Sequence, residues 1–333
     1  MKNLIFKYAL VPFFVIVASC TDNPEEINQK SNSKNQDKTL QMKSWFLSTG
    51  DWQTDPQIYV REFGTGTDTI VMLHGGWGAE HSGMVDMVAA LGAKYKFFVH
   101  EQRGSLRSPF PDSLITYNHH IEDVELLRKE LKVEKLTLLG HSMGAVLASA
   151  YAKRYPEHIK KLVLVSPAYL KNPFPEEDMA LLQSAQDEFG KFSERPSVKQ
   201  ELKKLGLLTE GRKLSSKEET IKNRIDFATR MLYDVGKWHQ LNNGKALYKG
   251  NVYGLTERTY PEKGWNFIEE FKKRSYPISV IIGAQDFLDM GNHITRKWTE
   301  EVPRANFISI ENTGHLPWID QPEKLSMQLK HSL

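Results

Sequence analysis

From Ser44 onward, short β-rich runs alternate with helical stretches, and this alternation restricts the fold more than any single motif does. "QIYVREF", "TIVMLHGG", "KFFVHEQRG", "KLTLLGHS" and "KKLVLVSP" read as strands, several of them nearly continuous apolar runs. Between them lie "GMVDMVAALGA", the amphipathic "NHHIEDVELLRKELKV" and the alanine-rich "GAVLASAYAKRYPEHI", which ends near Pro156. Strands joined through helices pair in parallel, and the helices then cover both faces of the sheet. The expected class is therefore α/β, with a mostly parallel central sheet.

The pattern breaks between about Lys171 and Lys273, where "EEDMALLQSAQDEFGKF" and "SSKEETIKNRIDFATRMLYDVGKWHQL" are long, charged and helical, with no apolar strand run. Strands resume at "YPISVIIGAQD" and "NFISIENTGH". These last segments need the first part to complete a sheet, so the helical block reads as an insertion. The expected organisation is a core over residues 44–170, a helical cap over 171–273 and the rest of the core over 274–333.

The first residues have a different character. In "MKNLIFKYALVPFFVIVAS", Lys2 and Lys7 precede an apolar stretch, Tyr8 to Val17, too short to span a bilayer, and Ala18 and Ser19 are small. This predicts a signal peptide over residues 1–19. Cys20 is the one cysteine, so no intramolecular disulfide or cysteine-rich metal site can form. "VASC" resembles the lipobox of bacterial lipoproteins, which implies acylation of Cys20, membrane lipid as a partner, and anchoring to the cell envelope on its periplasmic or surface side. The alternative is a secreted protein with an incidental cysteine. Residues 20–43 are polar and read as a flexible tether with a reach of roughly 25–30 Å. A net charge of +3, with Lys and Arg interspersed among Asp and Glu, gives no reason to expect a nucleic-acid partner.

Gly140-His141-Ser142-Met143-Gly144 sits where the run "KLTLLG" gives way to the alanine-rich helix. The five residues alone are weak evidence; the strand-to-helix setting is what a nucleophile elbow requires. Glycines permit the strained turn, and the helix N-terminus aims N–H groups at the serine. A hydroxyl needs a base, and the base needs an orienting group. For a serine at such an elbow the acid and then the histidine follow in the chain. Asp286 lies just past the run "VIIG", with Asp289 as the competing acid. Of the 11 histidines, His315 follows the last strand run, while most others, including His119 and His120 at a helix start, read as solvated or capping. The oxyanion requires two N–H donors. Met143 is expected to supply one, and Gly76, with Trp77 as runner-up, the other from the loop "HGGWG". His74 reads as a structural loop residue.

"HGGWGAEHSGM", "EQRGSLRS", "GHSMGAVLASAYAKRYPEHIKKLVLVSPA", "GAQD" and "TGHLPWIDQPE" together resemble the α/β-hydrolase superfamily and, within it, prolyl iminopeptidase-like peptidases. The resemblance spans about Ile58 to Pro167 and Ser279 to the end. It implies Ser142 as nucleophile, His315 as base, Asp286 as its orienter, and a cap whose carboxylates hold a substrate's α-amino group. The chain departs from the family's pattern at Trp77, Glu101 and Leu106, and Trp77 is expected to add bulk beside the oxyanion hole. Arg103 reads as one half of a structural ion pair, ahead of a substrate contact. Glu176, Glu177, Asp178, Asp187, Glu188 and Glu210 are the candidate amine-binding carboxylates. Trp238, Tyr253, Tyr260 and Trp265 line either a pocket or the cap's own core.

The expected chemistry is acyl transfer to water, without a metal or organic cofactor. A short peptide with a free N-terminus is the first substrate class, an ester or lactone the second, and a non-catalytic binding protein on the same scaffold the third reading. Oligomeric state is not fixed by any of these residues.

Overall fold

The computed structural model describes residues 42–333, except 52, 209–210 and 242–248. The expected signal peptide, Cys20, nearly all of the tether and Glu210 lie outside the described residues. Eight strands form one sheet: β1 (Lys43–Ser48), β2 (Gln57–Phe63), β3 (Asp68–Leu73), β4 (Tyr95–His100), β5 (Leu136–His141), β6 (Ile159–Val165), β9 (Ile278–Gly283) and β10 (Ala305–Ile310). Two further strands, β7 (Lys171–Asn172) and β8 (Trp265–Asn266), pair only with each other among the described residues. The sheet order is β1-β2-β4-β3-β5-β6-β9-β10, antiparallel at β1–β2 and β2–β4 and parallel elsewhere. Strand β1 starts at Lys43, the last residue of the expected tether, and is not among the strand runs read from the sequence. Only one of its faces is covered, with Trp45 edge-on to Phe98 at 6.1 Å while Phe46 stays exposed.

Helices α1 (Ser82–Val88), α2 (Tyr117–Glu130), α3 (Met143–Arg154), α9 (His293–Glu300), α10 (Pro317–Asp320) and α11 (Pro322–Ser332) accompany the sheet. Strand β5 is buried along its whole length and shows how the faces divide. Leu138 packs in the cluster that includes Val124 of α2 and Ala148 of α3, whereas Leu139 packs in the one that includes Met84 of α1 and Leu325 of α11. Alternation along a pleated strand produces this division, and each such buried leucine contributes about 1.5–3 kcal/mol. Helix α3 reaches the sheet closely because its residues are small. A Cβ on Gly144 would lie 2.0 Å from the Leu73 carbonyl oxygen, so only glycine fits there.

Between β6 and β9 the chain forms α4 (Met179–Ser193), α5 (Pro196–Lys204), α6 (Ser216–Met231), α7 (Gly250–Glu257) and α8 (Phe267–Phe271). A capping box, Ser215 with Glu218, fixes the start of α6. Leu202, Ile225 and Ala228 form a separate core that Ile319 of α10 joins. The antiparallel β7–β8 pair brings the two ends of the insertion together. Around it, Lys171 and Lys272 both pair with Glu301, just past the end of α9, at 3.0 and 2.8 Å, and buried Asp178 binds Lys297 and the Trp298 indole N–H.

Candidate active site

Ser142 joins β5 to α3 with φ 52° and ψ −120°, a left-handed backbone that costs a non-glycine residue on the order of 1–3 kcal/mol. Three hydrogen bonds impose it. The Ser142 N–H donates to Val165 O of β6 at 3.2 Å, and Ser142 O accepts from Ala145 N at 2.9 Å and Ala168 N at 3.2 Å. Met143 occupies the first helical position, where its N–H has no intrahelical acceptor. The loop after β3 lies against this elbow: a Cβ on Gly75 would come within 2.8 Å of Ser142 Cβ, and Gly76 next to it has φ +71°.

His315 and Asp286 follow β10 and β9, at the same ends of the strands, and both are buried. His315 Nδ1 and Asp286 Oδ2 are 2.8 Å apart. With Nδ1–H donating to the carboxylate, the unprotonated Nε2 is the basic atom. His141, the residue before the serine, ties this pair to the elbow. Its Nε2 lies 3.1 Å from the His315 carbonyl oxygen, its ring is 4.9 Å from that of His315, and burial holds its pKa well below the usual histidine range. It is therefore neutral, and its one N–H donates to that carbonyl.

A family model described as the alpha/beta hydrolase fold matches residues 68–322. The chain belongs to this family. Among its relatives, a proline iminopeptidase of Flavobacterium johnsoniae is 24% identical over 284 residues, which cover 80% of this chain and 90% of that protein. Another proline iminopeptidase, from Saccharolobus solfataricus, is 23% identical over 269 residues, 77% of this chain and 81% of the relative. Among solved structures, an alpha/beta fold family hydrolase of Bacillus anthracis superposes with a TM-score of 0.60 at 16% identity, over 88% of this chain and all of that one.

Two acids follow β9 in this hydrolase, Asp286 and Asp289, and their partners differ. Both Asp289 oxygens are taken by the start of α9, accepting from Ile294 N at 3.2 Å and Thr295 N at 2.7 Å, and burial raises the pKa of Asp289. Asp286 is the acid that meets His315; its other oxygen accepts from Leu288 N at 3.0 Å. His74 is a loop brace. Its Nε2 accepts from Gln102 N at 3.1 Å, and the Gln102 amide donates back to His74 O at 2.9 Å.

The Trp77 side chain corrects an expectation. It is not beside the oxyanion hole but fully buried, stacked on His120 at 4.8 Å and donating to the Tyr260 hydroxyl at 2.7 Å. A large ring with one polar atom is satisfied by that combination and would not be by open solvent. His120 is consequently neither solvated nor capping, whereas the His119 N–H does bond to the Thr116 hydroxyl. Arg103 makes a two-pronged pair with buried Asp123, at 2.7 and 2.6 Å. Glu101 accepts from His81 Nδ1 at 2.7 Å and Arg107 N at 2.6 Å. Burial acts to raise its pKa, but those bonds and the Arg107 charge leave it below the usual carboxylate range. Glu80, His81 and Glu101 are close enough together to ligate a cation, although Arg107 and Arg61 already supply positive charge at these same groups.

The described carboxylate candidates in the insertion are exposed or already paired. Glu176, Glu177, Asp187 and Glu188 are exposed, and Asp178 is committed to Lys297 and Trp298. The Trp238 indole bonds to Glu201 of α5, and Tyr260 and Trp265 pack around Tyr117 at 5.5 and 5.9 Å. Tyr253 packs against the main core. Two site residues had no signal in the sequence. Phe287, adjacent to Asp286, stands edge-on to His315 at 4.9 Å, and Phe189 of α4 packs on Phe287 at 6.2 Å.

Proposed function

We propose that this hydrolase works by acyl transfer through Ser142. The observation that carries the reading is the buried His315–Asp286 pair, tied through His141 to a serine on a strained elbow. Ser142 Oγ attacks a carbonyl carbon while His315 Nε2 takes the hydroxyl proton. The N–H groups of Met143 and Gly76 hold the oxyanion. On collapse His315 returns the proton to the leaving group, and water repeats the sequence on the acyl-enzyme. A fluorophosphonate label on the wild type that disappears in Ser142→Ala is the expected result; labelling that persists would overturn the assignment of Ser142, and a wild type that takes no label would favour the non-catalytic reading.

For substrate we propose a short peptide with a free N-terminus, a reading supported by the two relatives that align along most of the chain. A second reading, an ester with an apolar acyl group, is favoured by the aromatic pair Phe287 and Phe189 beside the base and by the exposed or paired state of the insertion's described candidate carboxylates. Prolyl and other aminoacyl arylamides assayed beside short acyl esters separate the two. Ester turnover without arylamide turnover would reject the peptidase. We further propose export and anchoring through acylated Cys20, for which the test is whether Cys20→Ala moves the protein from the membrane to the soluble fraction.

A further inference from the structure

Asp320 closes α10, and its buried carboxylate collects three backbone donors. Oδ2 accepts from Gly314 N and Tyr233 N, each at 2.8 Å, and Oδ1 accepts from Asp234 N at 3.1 Å. Gly314 immediately precedes His315; Tyr233 and Asp234 follow α6, in the insertion. A second link lies on the other side of the histidine, where Leu316 N donates to Met231 O, the end of α6, at 3.3 Å. The gap between the two segments has no slack: a Cβ on Gly314 would lie 2.6 Å from that same Met231 oxygen. Lys237 adds a third connection through its ammonium, which donates to Ile319 O at 3.0 Å and Asp320 O at 2.9 Å.

We propose that Asp320 is a positioning residue for His315, fixing the base loop to the end of α6 so that the placement of the insertion sets the placement of the base. Hydrogen bonds to an ionised carboxylate are roughly twice as strong as neutral ones, and here one carboxylate spans the two segments. The proposal rests on His315 acting as the base. Displacement of a catalytic group by about 1 Å costs on the order of a hundredfold in rate, so a partial release of this loop should be visible in turnover.

Asp320→Asn in the full chain removes the charge and one acceptor and sets an amide N–H against the backbone donors. The expected result is a fall of about tenfold or more in both kcat and the fluorophosphonate labelling rate of Ser142, with KM changed by less than about twofold. Amide exchange should quicken at Gly314 and Tyr233 together, and Asp320→Glu should recover part of the labelling rate. Labelling does not depend on which substrate is correct. An unchanged labelling rate in folded Asp320→Asn overturns the proposal while leaving Ser142 as nucleophile, whereas labelling that survives Ser142→Ala overturns both. Should Asp320→Asn not fold, Asp234→Pro deletes one donor at a residue whose φ is already −92°, and it is read against Asp234→Ala, which loses only the side-chain bond to Gly236 N. A smaller fall in labelling is then expected, and no fall overturns the proposal.

Discussion

Ser142 and His315 stand on the same end of one sheet but are held by different kinds of structure. The serine is fixed by neighbours in sequence and in the sheet: strand β5 before it, helix α3 after it, and backbone hydrogen bonds to β6 and the loop that follows β6. The histidine lies on a loop whose supports come from far along the chain, Asp286 from behind β9 and the end of α6 from the insertion. A local support survives most distant substitutions; a long-range one depends on every segment it bridges. The elbow should thus behave as a rigid part and the base loop as an adjustable one.

The comparison is tested most severely at its chemical centre. Ser142→Ala should abolish turnover, and Asp286→Asn should lower kcat by about 10⁴-fold with the fold intact, because an amide cannot hold the same tautomer. Steady-state kinetics beside circular dichroism check both, and an Asp286→Asn enzyme near wild-type rate would remove the acid from the mechanism. Next in size is the rigidity of the elbow. Gly144→Val places side-chain atoms where the Leu73 carbonyl oxygen stands and should cost about 3 kcal/mol or more in urea unfolding. A loss below about 1 kcal/mol would mean that the serine side yields as readily as the other.

Asp289→Ala probes the softer wall. It strips the cap from α9 and should cost about 1–2 kcal/mol while leaving kcat within about tenfold of wild type. A loss of activity as large as that of Asp286→Asn would reverse the assignment of the two acids. A last test concerns pH rather than a single contact. Burial pushes His100 down to about 3, and neither of its ring nitrogens has a partner among the described residues. Because the folded value lies below the unfolded one, the folded state binds fewer protons. Its contribution is complete above about pH 6.5 and is lost as pH falls toward 3, at up to about 1.4 kcal/mol per pH unit. Urea midpoints from pH 7 to pH 4 should fall less steeply in His100→Asn than in wild type; parallel slopes would locate the acid sensitivity elsewhere.

The same division decides what the sequence could convey. Period and turn chemistry act over a few residues, so the alternating strands, the elbow at Ser142, the glycine loop at Gly76 and the helical insertion were all legible. Asp286 and His315 were legible as residues after strand runs, in the required order. Trp77 was misplaced because an aromatic next to a glycine loop has no local cue for its partner; His120 and Tyr260 lie far away in the chain. Strand β1 was missed because its three apolar residues, Trp45, Phe46 and Leu47, are consecutive and show none of the alternation expected of a strand with one covered face. The role of Asp289 is set by the direction of a helix that begins four residues later, and composition does not show that direction.

The β7–β8 pair has a consequence for how such a chain can change over time. The insertion leaves and re-enters the sheet domain through one ladder of two residues, so its length and helix count are uncoupled from the register of the strands. A different helical segment, grafted at Lys171 and Asn266, would leave every sheet pairing as it is. What the replacement would have to reproduce is a short set of partners for the sheet domain: Tyr260 for Trp77, Thr256 for His120, Asp178 for Lys297 and Trp298, and two backbone N–H groups for Asp320.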